Sequence, residues 1–282
     1  MKIQLVHAPC DEKGFLDKKW YPPLGLMSIG TYLEQAGYEV EILDGQHLSL
    51  SEIKKQISAG MVGINFNLLS TKSMKAIAQT AKNKGAFVLA GGQAATQLAK
   101  QLVIKNSDIN CVVRFDGEHA SKLLADKLCG KKVEFKDIPN LSYVENGNAV
   151  ETRTEFLDLT TLPVPNRELN GIDLEKYIAC YDKDKETRPT SAYTQKGCPR
   201  QCSFCARIDK VVRKRTPKQA FEEYQFLSEN YGINYVFEVT DTWFSDLDWL
   251  ESFAKLYEKE GGLDLQIKAF ADIRDINVKA VE

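Results

Sequence analysis

Three cysteines lie close together near the start of the last third of the chain, in the segment Lys-Gly-Cys-Pro-Arg-Gln-Cys-Ser-Phe-Cys. Cys198, Cys202 and Cys205 are separated by three and then by two residues. All other cysteines and all 3 histidines of the chain lie upstream of this segment. Three thiols at such short spacing, in a chain with the composition of an intracellular protein, indicate a metal centre rather than a disulfide.

The number of cysteine ligands, three rather than four, limits which metal centres this segment could hold. A structural zinc site has four protein ligands, and no fourth Cys or His lies near the segment. A four-iron, four-sulfur cluster held by three thiolates leaves one iron open to an outside ligand. Two other interpretations stay open, namely a zinc site completed from elsewhere in the chain and thiols without any ligand role.

This cysteine segment, with Gly197 before it and Phe204 ahead of its last cysteine, resembles that of the radical S-adenosylmethionine enzymes. The resemblance implies that Cys198, Cys202 and Cys205 hold a [4Fe-4S] cluster. It further implies that S-adenosylmethionine binds the open iron through its amino and carboxylate groups and is cleaved to a 5′-deoxyadenosyl radical. A reducing electron donor such as flavodoxin or ferredoxin and a small-molecule substrate are then expected. The sequence does not identify catalytic residues for the substrate chemistry.

Composition restricts the partners and the compartment. The chain has 282 residues, of which 43% are hydrophobic, and a net charge of −2. This charge gives no broad field for nucleic acid, so no nucleic-acid partner is expected. The sequence has no run of about eighteen apolar residues, and it begins with a strand-like pattern rather than a signal peptide. We therefore expect a cytoplasmic protein that does not bind a membrane.

The first 130 residues alternate between strand and helix patterns. The strand candidates are residues 3–7, 39–44, 61–66, 86–90 and 110–115, and the later helix candidates are 51–58, 71–84, 93–105 and 118–129. An earlier helix begins at Pro23 and ends at Gly37. Alternation of this kind predicts an α/β domain with a doubly wound, Rossmann-like parallel sheet. Ligands of such sheets bind beyond the carboxyl ends of the strands, at the switch point.

The order of these segments resembles the cobalamin-binding domain that precedes many radical S-adenosylmethionine enzymes. The matching stretches are residues 22–26, 39–44, 62–65, 89–92 and 113–118. The resemblance implies that cobalamin lies near a set of residues at the strand ends: Cys10, Asn67, Gly91, Gly92, Gly117 and Glu118.

One motif of cobalamin-binding proteins is missing. The Asp-x-His-x-x-Gly sequence that ligates cobalt in methionine synthase is absent, because His7 is followed by Ala-Pro-Cys and His47 lies elsewhere. The cobalt is therefore expected to lack a lower ligand from the protein. The alternative is a Rossmann-like scaffold in which the glycine turns only end strands.

The rest of the chain is predicted to form a connector and part of a barrel. Residues 131–190 contain a hairpin pattern around Asn146-Gly147 and are interpreted as structural. From residue 191 the strand candidates 191–195, 235–239 and 265–271 alternate with helices, which predicts the first half of a βα barrel. The predicted domains are thus residues 1–130, 131–190 and 191–282. Because the barrels of this family usually have six strands, the chain is expected to be part of a longer protein.

The resemblance also assigns contacts to S-adenosylmethionine. Thr240 and Asp241 follow the second barrel strand, where the family binds the methionyl amino group, and a carboxylate suits an ammonium ion. Arg274 follows the third strand and is expected at the methionyl carboxylate, while Phe204 is expected near the adenine. The alternatives are that Asp241 caps the following turn and that Arg274 forms a surface salt bridge.

The expected function is that of a radical S-adenosylmethionine enzyme that uses cobalamin to methylate an unreactive carbon. Two alternatives stay open. The first is a radical enzyme without cobalamin that performs a rearrangement, an oxidation or a cyclisation. The second is a metal-binding fragment without turnover. The basic stretch at residues 207–215 is interpreted as a solvated rim of the barrel, with contact to an anionic substrate as the alternative.

Overall fold

The computed structural model describes residues 1–11, 21–105, 108–206 and 208–276, which form two compact units. Within the described residues, unit 1 contains 1–11, 23–156 and 163–173. Unit 2 contains 21–22, 157–162 and 174–276.

Unit 1 is built on a single seven-stranded sheet. Its strands are β1 (Lys2–His7), β2 (Glu39–Asp44), β3 (Met61–Asn65), β4 (Phe87–Gly91), β5 (Cys111–Val113), β6 (Leu141–Glu145) and β7 (Asn148–Glu151). The order across the sheet is β2-β1-β3-β4-β5-β6-β7, and β1 to β5 are parallel. The predicted doubly wound parallel sheet is confirmed, with its switch point between β1 and β3.

Helices cover both faces of this sheet. They are α1 (Leu24–Gln35), α2 (Leu50–Gln56), α3 (Thr71–Asn83), α4 (Gln93–Gln97), α5 (Ala99–Lys105) and α6 (Glu118–Leu128). Neighbouring strand residues alternate between two apolar cores, because successive side chains of a strand point to opposite faces. Val6 packs with Ile77 of α3, whereas Leu5 packs with Met27 of α1 and Leu124 of α6.

The hairpin that the sequence analysis assigned to a connector extends the sheet of unit 1. Strand β6 pairs antiparallel with β5, with Val112 opposite Ser142, and β7 pairs antiparallel with β6. The Asn146-Gly147 turn predicts the hairpin, but a local pattern does not specify which strand it will pair with. The predicted helix 93–105 is also divided, because the backbone of Leu98 ends α4.

Unit 2 combines a parallel three-stranded sheet with a short antiparallel ribbon. Its elements are α7 (Leu174–Tyr181), β8 (Pro189–Ala192), β9 (Gln195–Lys196), β10 (Arg213–Lys214), α8 (Pro217–Tyr231), β11 (Tyr235–Glu238), α9 (Leu247–Lys259) and β12 (Gln266–Ala269). The parallel sheet has the order β12-β11-β8, which confirms the three predicted barrel strands. Helix α8 has Thr216 as its cap and Pro217 as its first residue, and a capping box joins Thr216 to Gln219.

The apolar core of unit 2 lies between the parallel sheet and helices α8 and α9. Val236 of β11 packs there with Tyr224 and Leu227 of α8 and with Phe253 of α9. In the described part of the chain, none of the helices has the length and apolar character needed to cross a bilayer.

Candidate cofactor sites

The three cysteines lie in a loop whose two ends are next to each other in the structure. Residues 197–212 connect β9 to β10, and these strands pair antiparallel, with Lys196 opposite Arg213. Below them, the backbone N–H of Arg215 donates to the carbonyl oxygen of Thr194 at 2.8 Å. We call these paired segments the neck of the cysteine loop, residues 194–196 and 213–215. The neck follows β8 closely, so the loop lies at the carboxyl end of the parallel sheet.

Backbone contacts hold the two sides of the loop together above the neck. The N–H of Cys198 donates to the carbonyl oxygen of Asp209 at 3.2 Å, and the N–H of Cys205 donates to that of Cys202 at 3.1 Å. Gly197 has a φ of +86°, and a Cβ at this position would collide with the carbonyl oxygen of Val211. The loop therefore requires glycine directly before its first cysteine.

The thiols are accessible. Cys198 and Cys202 are half-buried, Cys205 is exposed, and none of the seven cysteines forms a disulfide. Within residues 1–11, 21–105, 108–206 and 208–276, no three His, Cys, Asp or Glu side chains are grouped as metal ligands. Three accessible thiols on one short loop provide a suitable donor set for an iron–sulfur cluster. Their role as cluster ligands stays a prediction.

The segment after β12 lies against the cysteine loop. Arg200 forms ion pairs with Asp275 and Asp272. The Nη2 of Arg274 lies 4.0 Å from the Sγ of Cys202, and its guanidinium pairs with Asp272 and holds the pKa of that carboxyl well below its usual range. The structure thus places Arg274 beside Cys202. Arg274 also forms a salt bridge with Asp272, which is the alternative role considered from the sequence.

Asp241 also lies against this loop. Its carboxylate lies beside the backbone N–H of Gly197, and partial desolvation, together with the nearby Asp209, raises its pKa although the residue is exposed. The cap of the following 3-10 turn (Trp243–Ser245) is Thr242, so Asp241 does not have the capping role considered from the sequence. Phe204 belongs to the same loop and is 91% exposed.

Thr240 faces the interior of unit 2 instead. Its hydroxyl contacts the carboxylate of Glu238 and lies 3.1 Å from the carbonyl oxygen of Gln195. Glu238 is fully buried at the end of β11 and also accepts hydrogen bonds from the N–H of Thr194 at 2.8 Å and the hydroxyl of Tyr224 at 2.6 Å. The sequence analysis missed Glu238. Its only local signal was an acidic residue ending an otherwise apolar strand.

In unit 1 the loops after β1 and β3 are joined at the switch point. The N–H of Ala8 donates to the carbonyl oxygen of Asn65 at 3.0 Å, and that of Asp11 donates to Leu69 at 2.7 Å. The Asp11 carboxylate in turn accepts from the N–H of Ser73 at 2.8 Å, at the start of α3. The two loops that flank the predicted crevice therefore form one connected surface.

Four of the residues predicted to contact cobalamin lie at the strand-end edge of unit 1. Cys10 is half-buried in the loop after β1, and exposed Asn67 accepts from the N–H of Leu69 at 2.8 Å. Gly91 ends β4, and Gly92 follows it with a φ of +96°, where a Cβ would collide with the Oδ1 of Asn65. This turn presents bare backbone, as the prediction requires.

Gly117 and Glu118, in contrast, pack against α1. Glu118 is 2% exposed and its carboxylate accepts from the Ser28 hydroxyl at 2.7 Å. A Cβ on Gly117 would come within 2.8 Å of the Cδ1 of Ile29. Both residues therefore have evident packing roles, and their contact with cobalamin stays a prediction.

The buried carboxyl of Glu238 leads to a testable pH dependence. Burial raises its pKa to about 7, whereas an unfolded chain gives about 4.3. The stability that this shift contributes is present below about pH 4 and is lost as the pH rises through about 7. We expect Glu238→Gln to remove this loss, so that the stability difference between variant and wild type changes between pH 5 and 8 in denaturant titrations. Glu229→Gln, an exposed site on α8, is the control, and parallel pH curves for wild type and Glu238→Gln would contradict the assignment.

Comparison with known proteins finds similarity over most of the chain. Residues 18–125 match the family model of the B12 binding domain. An uncharacterised methyltransferase of Pyrococcus horikoshii is 29% identical over 274 residues, which are 93% of this chain and 57% of that protein. An anaerobic magnesium-protoporphyrin IX monomethyl ester cyclase of Synechocystis is 24% identical over 262 residues, or 86% of this chain and 49% of that protein. The chain thus spans about half the length of these relatives.

Among solved structures, the fold matches the radical S-adenosylmethionine methyltransferase TsrM from Kitasatospora setae. The TM-score is 0.78 at 18% identity, and the match covers 99% of this chain and 56% of TsrM. TsrM has been solved with cobalamin and a [4Fe-4S] cluster, and with tryptophan and an analogue of S-adenosylmethionine. These matches confirm the resemblance seen in the sequence: residues 18–125 match the B12 binding domain, and the chain shares the fold of the radical S-adenosylmethionine methyltransferase TsrM.

Proposed function

We propose that this chain is part of a cobalamin-dependent radical S-adenosylmethionine enzyme that methylates an unreactive carbon of a small molecule. The observation that carries the proposal is the presence, in one chain, of a B12-binding domain match and a three-cysteine loop at the carboxyl end of a parallel sheet. Since the chain covers only part of its relatives, the activity is proposed for the whole protein.

Cys198, Cys202 and Cys205 are the proposed cluster ligands. When bound, the cluster and S-adenosylmethionine would supply the radical chemistry, and cobalamin would carry the methyl group. The neck fixes the ends of the loop, and Gly197 allows its tight entry, so the protein determines where the thiolates lie. The donor set and the accessibility of the loop support this role.

The groups around the loop suit the charges of S-adenosylmethionine. The Asp241 carboxylate, which lies beside the Gly197 N–H, is proposed to accept hydrogen bonds from the methionyl ammonium. Arg274 is proposed to bind the methionyl carboxylate, since its guanidinium has five N–H donors and Asp272 occupies only some of them. Phe204 is proposed to contact the adenine, which would cover an aromatic ring that is otherwise almost fully exposed.

Cobalamin is proposed to lie along the strand-end edge of unit 1. Cys10, Asn67 and the Gly91-Gly92 turn would contact it, and Gly117 and Glu118 would support the edge from behind. A reducing protein such as flavodoxin or ferredoxin is the proposed electron donor, and the cytoplasm is the proposed compartment.

A radical enzyme that does not methylate is the second candidate. The specific observation that favours it is the cyclase relative, whose printed activity is a ring closure rather than a methyl transfer. The methyltransferase relative covers more of this chain and is more similar to it, so methylation is the preferred proposal.

Product analysis of the full-length protein tests the proposed reaction. With reductant and S-adenosylmethionine, we expect 5′-deoxyadenosine and S-adenosylhomocysteine together, because radical formation and methyl donation use separate molecules. Mass spectrometry of both nucleosides is the measurement. Formation of 5′-deoxyadenosine alone would replace the proposal with the non-methylating candidate.

Removing any one cluster thiol tests the metal site. Cys198→Ala, Cys202→Ala and Cys205→Ala should each abolish the broad absorption near 400 nm and lower the iron content after anaerobic reconstitution, since no other Cys or His is close in sequence. Cys180→Ala, an exposed cysteine outside the loop, is the control and should keep full iron content. Zinc binding by a colourless protein would instead support the zinc interpretation.

The Gly91-Gly92 turn offers a test of the cobalamin site. In Gly92→Ala the new Cβ would collide with Asn65 and distort the edge, so we expect cobalamin retention after gel filtration to fall at least tenfold. Gly85→Ala is a matched control, because Gly85 also has a positive φ, of +82°, but nothing lies within 4 Å of the added Cβ. Both variants should lose some stability through backbone strain. Equal retention of cobalamin in the two variants would argue against this site.

A further inference from the structure

We propose that Glu238 is a positioning residue, whose buried carboxylate fixes the neck of the cysteine loop relative to the Thr240-Asp241 turn. The inference deepens the proposed function and rests on it. Glu238 itself lies below the loop, between the sheet and helix α8, and it acts through Thr194 and Thr240.

The environment of Glu238 is unusual for a purely structural residue. It is 0% exposed and neighbours Val236 and Tyr224 in the layer between β11 and α8. The hydrogen bonds that it accepts within the described residues come from one backbone N–H and two hydroxyls, all of them uncharged. A buried carboxylate without a cation carries a large desolvation cost, which an apolar side chain would avoid. Such a network adds geometric specificity rather than stability.

The first partner of Glu238 is Thr194, which belongs to the neck. Thr194 donates its N–H to Glu238, and its carbonyl oxygen accepts the N–H of Arg215 from the opposite side of the neck. The Thr194 hydroxyl accepts from the Nε1 of Trp243 at 3.1 Å. The N–H, the carbonyl oxygen and the hydroxyl of Thr194 thus all have hydrogen-bond partners. The cysteine loop begins three residues after Thr194, at Gly197.

The second partner of Glu238 is Thr240, which lies in the same turn as Asp241. The Thr240 hydroxyl contacts Glu238 and lies 3.1 Å from the carbonyl oxygen of Gln195 in the neck. Asp241, the next residue, lies beside the backbone N–H of Gly197, which directly precedes Cys198. Glu238 and Asp241 therefore lie on either side of the same two segments, the neck and the Thr240-Asp241 turn. The distance between the neck and the turn determines where a ligand between Asp241 and the thiolates would lie.

Loss of the carboxylate should change ligand binding more than cluster content. In Glu238→Ala the Thr194 N–H and the Tyr224 hydroxyl are left buried without their acceptor, so the neck and the turn are released from each other. The three cysteines remain, and cluster assembly should be near the wild-type level. We expect affinity for S-adenosylmethionine to fall at least tenfold, with a smaller change in the electron paramagnetic resonance spectrum of the reduced cluster on its addition.

The experiment uses the full-length protein with a reconstituted cluster and measures iron content, thermal stability and S-adenosylmethionine affinity. Glu238→Gln keeps an acceptor for the Thr194 N–H and should recover affinity to within about threefold of wild type. Tyr224→Phe is the matched control, because it removes one hydrogen bond to the same carboxylate and leaves the contacts of Glu238 with Thr194 and Thr240 in place. It should lower thermal stability but retain wild-type affinity. If Glu238→Ala does not fold, Glu238→Asp replaces it, since the shorter side chain withdraws the carboxylate from Thr194 and Thr240.

The outcomes separate the inference from the proposed function. Wild-type affinity in a folded Glu238→Ala or Glu238→Asp variant would overturn the positioning role. So would an equal loss of affinity in Tyr224→Phe at the same loss of thermal stability, because the effect would then be general destabilisation. A wild-type protein that forms no four-iron cluster, or whose cluster does not respond to S-adenosylmethionine, would contradict the proposed function itself.

Discussion

Parallel pairing of strands is the constraint on which both candidate sites depend. In a parallel sheet all carboxyl ends lie at one edge, so the loops that follow the strands are neighbours even when they are far apart in sequence. In unit 1 this edge joins the loops after β1 and β3 at the switch point. In unit 2 the same arrangement brings the segments after β8, β11 and β12 together around the cysteines.

The cysteine loop shows how a short motif becomes a defined site. The motif supplies three thiols, but the two-stranded neck fixes where the loop starts and ends. Buried groups below the neck add to this: Glu238 accepts from Thr194, and the side chain of Trp249 donates to the carbonyl oxygen of Arg215 at 2.7 Å. Arg215 and Glu223 form a buried ion pair in the same region, at 3.6 Å. Polar groups at such a depth constrain geometry, because each one must keep its partner.

The electrostatic arrangement around the thiols is mixed rather than uniformly basic. Arg200 and Arg274 are each paired with aspartates of the segment after β12, and Arg213 is paired with Asp209 within the loop. The basic stretch noticed in the sequence is therefore largely neutralised in the described residues. Its cations Arg213, Lys214 and Arg215 are half-buried or buried in ion pairs, so this part of the stretch is not the solvated rim that was predicted.

The sequence by itself determined the elements whose signals are local. The cysteine spacing, the alternation of strands and helices and the hairpin turn at Asn146-Gly147 all depend on residues that are close in the chain. The structure has each of these elements near its predicted place. The Gly91-Gly92 turn could likewise be predicted as bare backbone, because glycine is the residue that accepts such a conformation.

Tertiary structure alone decided the features that depend on pairing between distant segments. The antiparallel addition of the hairpin to β5, the direction of Glu118 towards Ser28 of α1, and the burial of Glu238 under Thr194 each join residues between 28 and 90 positions apart. Register and burial of this kind follow from how whole sheets and helices pack, and a window of neighbouring residues carries little information about them. The identity of the cysteines could therefore be read from the chain, whereas the means by which they are positioned could not.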